Sequence, residues 1–134
     1  MIWIYSQGYK KTKEVSQKMK RKELIERMIR RLGVPASLTG YEYLVQAISM
    51  GYEEPAYIKA ITKKLYPEIA KANNTTVSRV ERAIRHAIEV GIQRADKQYL
   101  EEIFSYSYSD VKGKPTNCEY IACLSRELAL KLDE

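Results

Sequence analysis

An all-α domain of about six or seven helices is predicted by three observations on this 134-residue chain. Apolar residues recur at helical spacing through most of the chain. No stretch keeps a sustained period-2 alternation, and no internal repeat is visible. The breaks between periodic stretches carry helix-stop and helix-start residues. At 134 residues the chain is most simply one domain.

The elements follow in order. Residues 14–32 carry Val15, Met19, Leu24, Met28, Ile29 and Leu32, with helical spacing best from Leu24 on. Gly33-Val34-Pro35 ends that stretch, because Gly closes a last turn and Pro cannot continue it. Thr39-Gly40 leads a second helix over about 40–51, with Tyr43, Leu44, Ala47 and Ile48 on one side. A third is expected from Pro55 to Leu65, striped by Ile58, Ile61 and Leu65. Pro67 restarts the chain, since Pro suits a first helical turn. Glu68 to Ala72 is then a short helix, Asn73-Asn74 a turn, and Thr76 to Gly91 a longer helix. Asp96 to Phe104 is another, and Thr116 with Glu119 forms a capping box for a last helix through Leu132.

With 45% hydrophobic and 30% charged residues, the composition is that of a globular domain large enough to bury a core. No apolar run approaches the roughly 18 residues of a membrane span, so no membrane partner is expected. The opening MIWIYSQGYKK is too short and polar for a signal peptide, which makes a cytoplasmic protein the default expectation. Cys118 and Cys123 are five apart, about 140° around a helix, which argues for reduced structural cysteines rather than a local disulfide or metal pair.

The net charge of +6 is unevenly placed. Residues 1–35 hold ten Lys or Arg against three acids, and the rest of the chain thirteen against fourteen. Residues 1–23 therefore read as a basic arm and 24–134 as the folded domain. A basic arm suits a polyanion such as nucleic acid; the alternative is a solvated segment. Around Lys10 to Lys13 the arm is expected either to be mobile without a partner or to extend the first helix with solvated lysines.

The two helices flanking Asn74 have the layout of a helix-turn-helix. Ile69 and Ala70 lie in the first, where a small residue permits close crossing, and Asn74 sits where the turn needs the left-handed conformation that Asn tolerates. Asn73 is polar where many such motifs are apolar. Along TTVSRVERAIRHAIEV, at about 100° per residue, Val77, Val80, Ala83, Ile84, Ala87 and Gly91 fall on one face. Ser78, Arg79, Glu81, Arg82, Arg85, His86 and Glu89 fall on the opposite one. In a helix-turn-helix that polar comb faces the major groove, with its N-terminal residues nearest the bases. Arg can donate two bonds to guanine O6 and N7, and Glu can accept from a cytosine amino group. A merely solvated face, with Glu81 and Arg85 as an i, i+4 pair, is the competing reading.

Three segments, GVPASLTGYEYLVQAIS, LYPEIAKANNTTVSRVERAIRHAIEVG and KPTNCEYIACLSREL, strongly resemble the DNA-binding effector domains of the stage-zero sporulation protein A family. The resemblance covers about residues 24–130. It implies a six-helix effector domain that binds short double-stranded boxes similar to TGTCGAA, often as head-to-tail pairs, and that activates or represses transcription. The implied base and phosphate contacts match Ser78, Arg79, Glu81, Arg82, Arg85 and His86, all kept in this sequence. The loop Ser109–Asn117 is a second implied contact, with Lys112 and Lys114 flanking a Gly beside a helix N-terminus, a geometry suited to phosphate. RNA polymerase, and a second copy on tandem boxes, are the further partners implied. Family members normally begin with a phosphate-accepting receiver domain of about 120 residues. Only some 23 residues precede the resemblance here, so phosphorylation-controlled dimerisation is not carried over. The expectation is a stand-alone effector homologue or an incomplete reading frame.

Catalysis is not expected, and neither is a cofactor or metal. His86 is the single histidine, with no visible nucleophile or carboxylate constellation beside it and no phosphate-binding glycine loop. The rival from another class is a protein-binding regulator that antagonises a full-length relative. Steep salt dependence of binding separates the two, since apolar pairing lacks it. The eleven tyrosines could form a base-stacking surface for single strands, but Tyr41, Tyr43, Tyr52 and Tyr57 occupy helix-packing positions and are expected in the core or at its rim.

Overall fold

The computed structural model describes residues 2–104 and 114–133, with side chains from Thr12 onward, and its regular structure there is entirely helical. Helix α1 spans Ile2–Arg31, α2 Thr39–Glu53, α3 Tyr66–Ala72, α4 Val77–Arg94, α5 Lys97–Phe104 and α6 Asn117–Leu132. A 3₁₀ turn over Pro55–Ala60 and a π turn over Ile61–Leu65 lead into α3. The all-α class expected from periodicity is the class observed.

Helix α1 starts far ahead of the apolar stripe that announces it. Its leading part mixes five lysines, good helix formers, with apolar residues that keep no sustained helical period. Of the residues expected to mark this helix, Met28, Ile29 and Leu32 are buried and Leu24 is half-buried, whereas Val15 is 56% and Met19 67% exposed; Ile25, not among them, is fully buried as well. From Arg21 on the helix is tied to α2 by side-chain contacts. There the Arg21 guanidinium lies 4.8 Å from the centre of the Tyr52 ring and pairs with Glu53 of α2. Further along, Tyr41 Oη donates to Glu26 Oε1 at 2.9 Å and accepts from Arg30 Nε at 3.1 Å.

Gly33 closes α1 with φ at +85°. Val34 N donates to Ile29 O and Gly33 N to Arg30 O, the paired bonds of a Schellman cap. The stop predicted at Gly33 is therefore in place. The single helix expected over Pro55–Leu65 is instead a 3₁₀ turn followed by a π turn. Pro67 gives the physical reason. It has no N–H to donate back to Lys63 and its ring crowds that carbonyl, so the chain widens, and Tyr66 N bonds to Ile61 O instead.

Helix α2 is the centre of the core, with Leu44, Ala47 and Ile48 fully buried between α4 and α6. Gly40 permits the closest crossing: a Cβ there would lie 2.0 Å from Ala83 O of α4. Under α6, Phe104 and Tyr120 stack with ring centres 5.3 Å apart. Tyr41 and Tyr43 are buried, and Tyr52 and Tyr57 pack against the core, as the helix-packing assignment of these tyrosines requires.

Candidate nucleic-acid interface

The turn between α3 and α4 is built from two asparagines with separate tasks. Asn74 adopts φ +52°, the left-handed conformation anticipated for it. It closes α3 as Gly33 closes α1: Thr75 N donates to Ala70 O at 2.9 Å and Asn74 N to Lys71 O at 3.4 Å. Asn73, the polar departure from the usual pattern, is braced rather than exposed. Its Nδ2 donates to Gln46 Oε1 at 2.7 Å and to Ile69 O at 2.7 Å, and its Oδ1 accepts from Gln46 Nε2 at 3.2 Å. The amide pair ties the turn to α2, the role an apolar residue would fill by packing.

Helix α4 then starts at a capped end, with Thr76 Oγ1 accepting from Arg79 N at 3.2 Å. Val80, Ile84, Ala87, Ile88 and Gly91 are buried, while Val77 and Ala83 are half-buried against the same core. The opposite face is polar. Ser78, Arg79, Arg82, Arg85 and His86 are exposed, and Glu81 and Glu89 are half-exposed. The angular division of this helix into core and comb is thus the one the structure has, and α4 runs on to Arg94.

The comb differs from end to end. Among the described residues, neither Arg79 nor Arg82 on the leading turns has an ion-pair partner. On the trailing half, Arg85 and the Lys114 that reaches it are each held by an acid. Glu81 pairs with Arg85, and Glu89 Oε1 accepts from Lys114 Nζ at 2.7 Å. The Lys114 ammonium holds the Glu89 carboxyl below the usual carboxylate range, with Arg85 and His86 adding to the effect.

Lys114 is exposed just ahead of α6, whose N-cap Thr116 forms the expected capping box: Glu119 N donates to Thr116 Oγ1, and that hydroxyl donates to Glu119 Oε1, both at 3.1 Å. Lys112 lies outside the described residues. A groove of about 440 Å³ separates α4 from the start of α6, lined by Tyr66, Glu81, Arg85, Glu89, Lys114 and Asn117 among others. Asn117, expected only as the end of the phosphate-contacting loop, has a different task. Its Nδ2 donates to Glu81 O at 3.1 Å and to Tyr66 Oη at 3.2 Å, which seats the start of α6 against both α4 and the first residue of α3. Burial above all raises the Tyr66 hydroxyl pKa and keeps that hydroxyl neutral. No spacing rule could have exposed this contact, since it joins residues 36 and 51 apart in the chain.

The geometry is that of a helix whose buried face is seated on α2, α3 and α6 while its polar face points outward. Compared with known protein families, residues 25–128 match the family model described as the sporulation initiation factor Spo0A C-terminal domain. The chain belongs to that family. Membership makes it a DNA-binding regulatory domain of the sporulation-initiation type, in keeping with the resemblance seen in its sequence. The Spo0A C-terminal match begins at Ile25, the first fully buried residue of α1 among the described side chains, and ends at Leu128, the last fully buried residue of α6. Among the described residues no helix is long and apolar enough to cross a membrane, and no group of three or more His, Cys, Asp or Glu is placed to hold a metal. Cys118 is exposed and Cys123 buried, and the two do not form a disulfide.

Proposed function

We propose that this domain is a sequence-specific transcription regulator that reads double-stranded boxes similar to TGTCGAA through α4. The observation that carries the reading is the state of the leading turns. Arg79 and Arg82 stand exposed, without an ion-pair partner among the described residues, and opposite the buried Val80. An arginine fork without a carboxylate partner is free to donate both its bonds to guanine O6 and N7. Ser78 and Glu81 lie on the same turns, within the part of a recognition helix that meets base edges, with Glu81 suited to a cytosine amino group. Arg85 and His86 lie one turn further on, where phosphate is the natural partner. Lys112 and Lys114 ahead of α6, and the lysines of the arm over residues 1–23, supply backbone contacts in this proposal. Pairing on tandem boxes and contact with RNA polymerase belong to it as well, on family grounds alone.

The test is a gel-shift titration against a TGTCGAA duplex and a scrambled duplex across salt. Tight, salt-sensitive binding to the box and weak binding to the scramble is the expected result. Equal affinity for both duplexes would reduce the domain to a non-specific binder, and salt-insensitive capture of a protein partner would favour the antagonist reading.

A further inference from the structure

The trailing half of the comb wastes its cations if raw DNA affinity is its purpose. Arg85 sits four residues after Glu81 and four before Glu89, so carboxylates flank it along the helix face. Lys114 reaches from the α6 side of the groove to the second of them, its Nζ 2.7 Å from Glu89 Oε1. Any phosphate approaching Lys114 meets the Glu89 carboxylate beside it. The same pair fixes where Lys114 stands, although the residue belongs to a connecting segment rather than to a helix.

We infer that Glu89, a residue outside the base- and phosphate-contacting set, is a specificity-determining positioning residue that acts through Lys114. The inference rests on α4 being the DNA-reading helix and deepens that reading. On random DNA the protein has no fixed seat, so pre-placing one lysine confers nothing, and the carboxylate only repels phosphate. On the specific box the seat is fixed by the leading turns, and a pre-placed Lys114 meets its phosphate without losing side-chain freedom on binding. Repulsion and preorganisation then offset one another. Glu89 therefore weakens the wrong complexes while leaving the right one nearly unchanged, a repulsive element of the kind that specificity requires.

Glu89→Gln, Lys114→Gln and the double variant are titrated against box and scrambled duplexes at several salt concentrations. Glu89→Gln should bind the scramble about two- to fivefold more tightly, the range of one exposed ion pair. Its salt slope there should steepen by about 0.9, the signature of one added phosphate contact. Box affinity should change less, so that the specificity ratio falls. In the Lys114→Gln background the same Glu89→Gln change should add little. The inference is overturned if Glu89→Gln raises both affinities by one factor, or leaves the scramble affinity and slope unchanged, or acts equally with and without Lys114. Base reading by α4 fails separately, through a wild-type protein that does not prefer the box at all.

Discussion

One face of α4 meets α2 so closely that a single added methyl at Gly40 would strike the Ala83 carbonyl, while the opposite face carries Arg79, Arg82 and His86 into open solvent. The contrast separates two kinds of requirement within one helix. The buried face decides where the helix is, because close-packed surfaces admit few alternative seatings. The exposed face has almost no structural obligations on its leading turns, so its side chains remain available for chemistry. Substitution on the first face should therefore cost fold, and on the second only recognition.

The sharpest way to break this division is Val80→Asp. Val80 is fully buried, and an unpaired carboxylate in its place has no compensating partner. The expected loss is about 4 kcal/mol or more, a large part of the roughly 5–15 kcal/mol typical of a whole domain. Thermal melting followed by circular dichroism checks it; an unchanged melting temperature would mean that the two faces have been assigned the wrong way round.

Next in size are Arg79→Ala and Arg82→Ala. Each should leave the melting temperature within about 2 °C, since exposed surface changes usually stay within about ±0.5 kcal/mol. Each should cost about 1–3 kcal/mol on the TGTCGAA box and much less on random DNA. Equal losses on both duplexes would reassign these arginines to the phosphate backbone.

The two faces were also unequally legible. The core face followed from counting residues, because burial obeys the helical period and nothing else is needed. The left-handed turn at Asn74 and the cap at Thr76 were legible for a similar reason: each is a local backbone requirement met by a particular side chain. The π turn before Pro67 was not foreseen, since it answers a missing N–H one turn away rather than any apolar pattern. The early start of α1 was legible only as one of two alternatives, an extension with solvated lysines, because its exposed residues from Thr12 to Lys20 leave no buried stripe whose period could decide between them. The comb's membership was visible, and so was the i, i+4 spacing that pairs Glu81 with Arg85, but the pair between Glu89 and Lys114 was not. Lys114 and Asn117 reach α4 from another part of the chain, and tertiary approach leaves no local trace.

A smaller effect is expected from the leading part of α1. Removing residues 1–20 spares Arg21 and its contacts with Tyr52 and Glu53, so the domain should melt almost unchanged. The segment carries Lys10, Lys11, Lys13, Lys18 and Lys20 against Glu14 alone. If it lies along the DNA backbone, the salt slope should become shallower by about 0.9 for each phosphate the shortened protein no longer neutralises, equally on box and random duplexes. The specificity set by the comb should be untouched. A loss confined to paired boxes would instead identify the segment as a contact between neighbouring copies, and an unchanged slope would remove it from the interface.

The smallest effect tests the ion pair that divides the comb. The Glu89 carboxyl is depressed below its ordinary value of 4.5, chiefly by its hydrogen bond from Lys114 and then by that ammonium's charge, with Arg85 and His86 also facing it. A carboxyl with a lowered folded-state pKa contributes stability above its unfolded value and loses it as pH falls through the folded value. The difference in melting temperature between wild type and Glu89→Gln should therefore be at its full, small size near neutral pH. It should begin to shrink as pH drops below about 4.5 and vanish once the carboxyl is protonated. Comparing the two proteins at each pH cancels the titration of all other carboxylates, which they share. High salt should shrink the same difference at neutral pH, because the pair is solvent-exposed and screened. A difference that persists at low pH and in high salt would mean that Glu89 supports the domain by packing. A difference that disappears in both, while the variant binds random DNA more tightly, would leave Glu89 with an electrostatic role on the comb and almost none in the core.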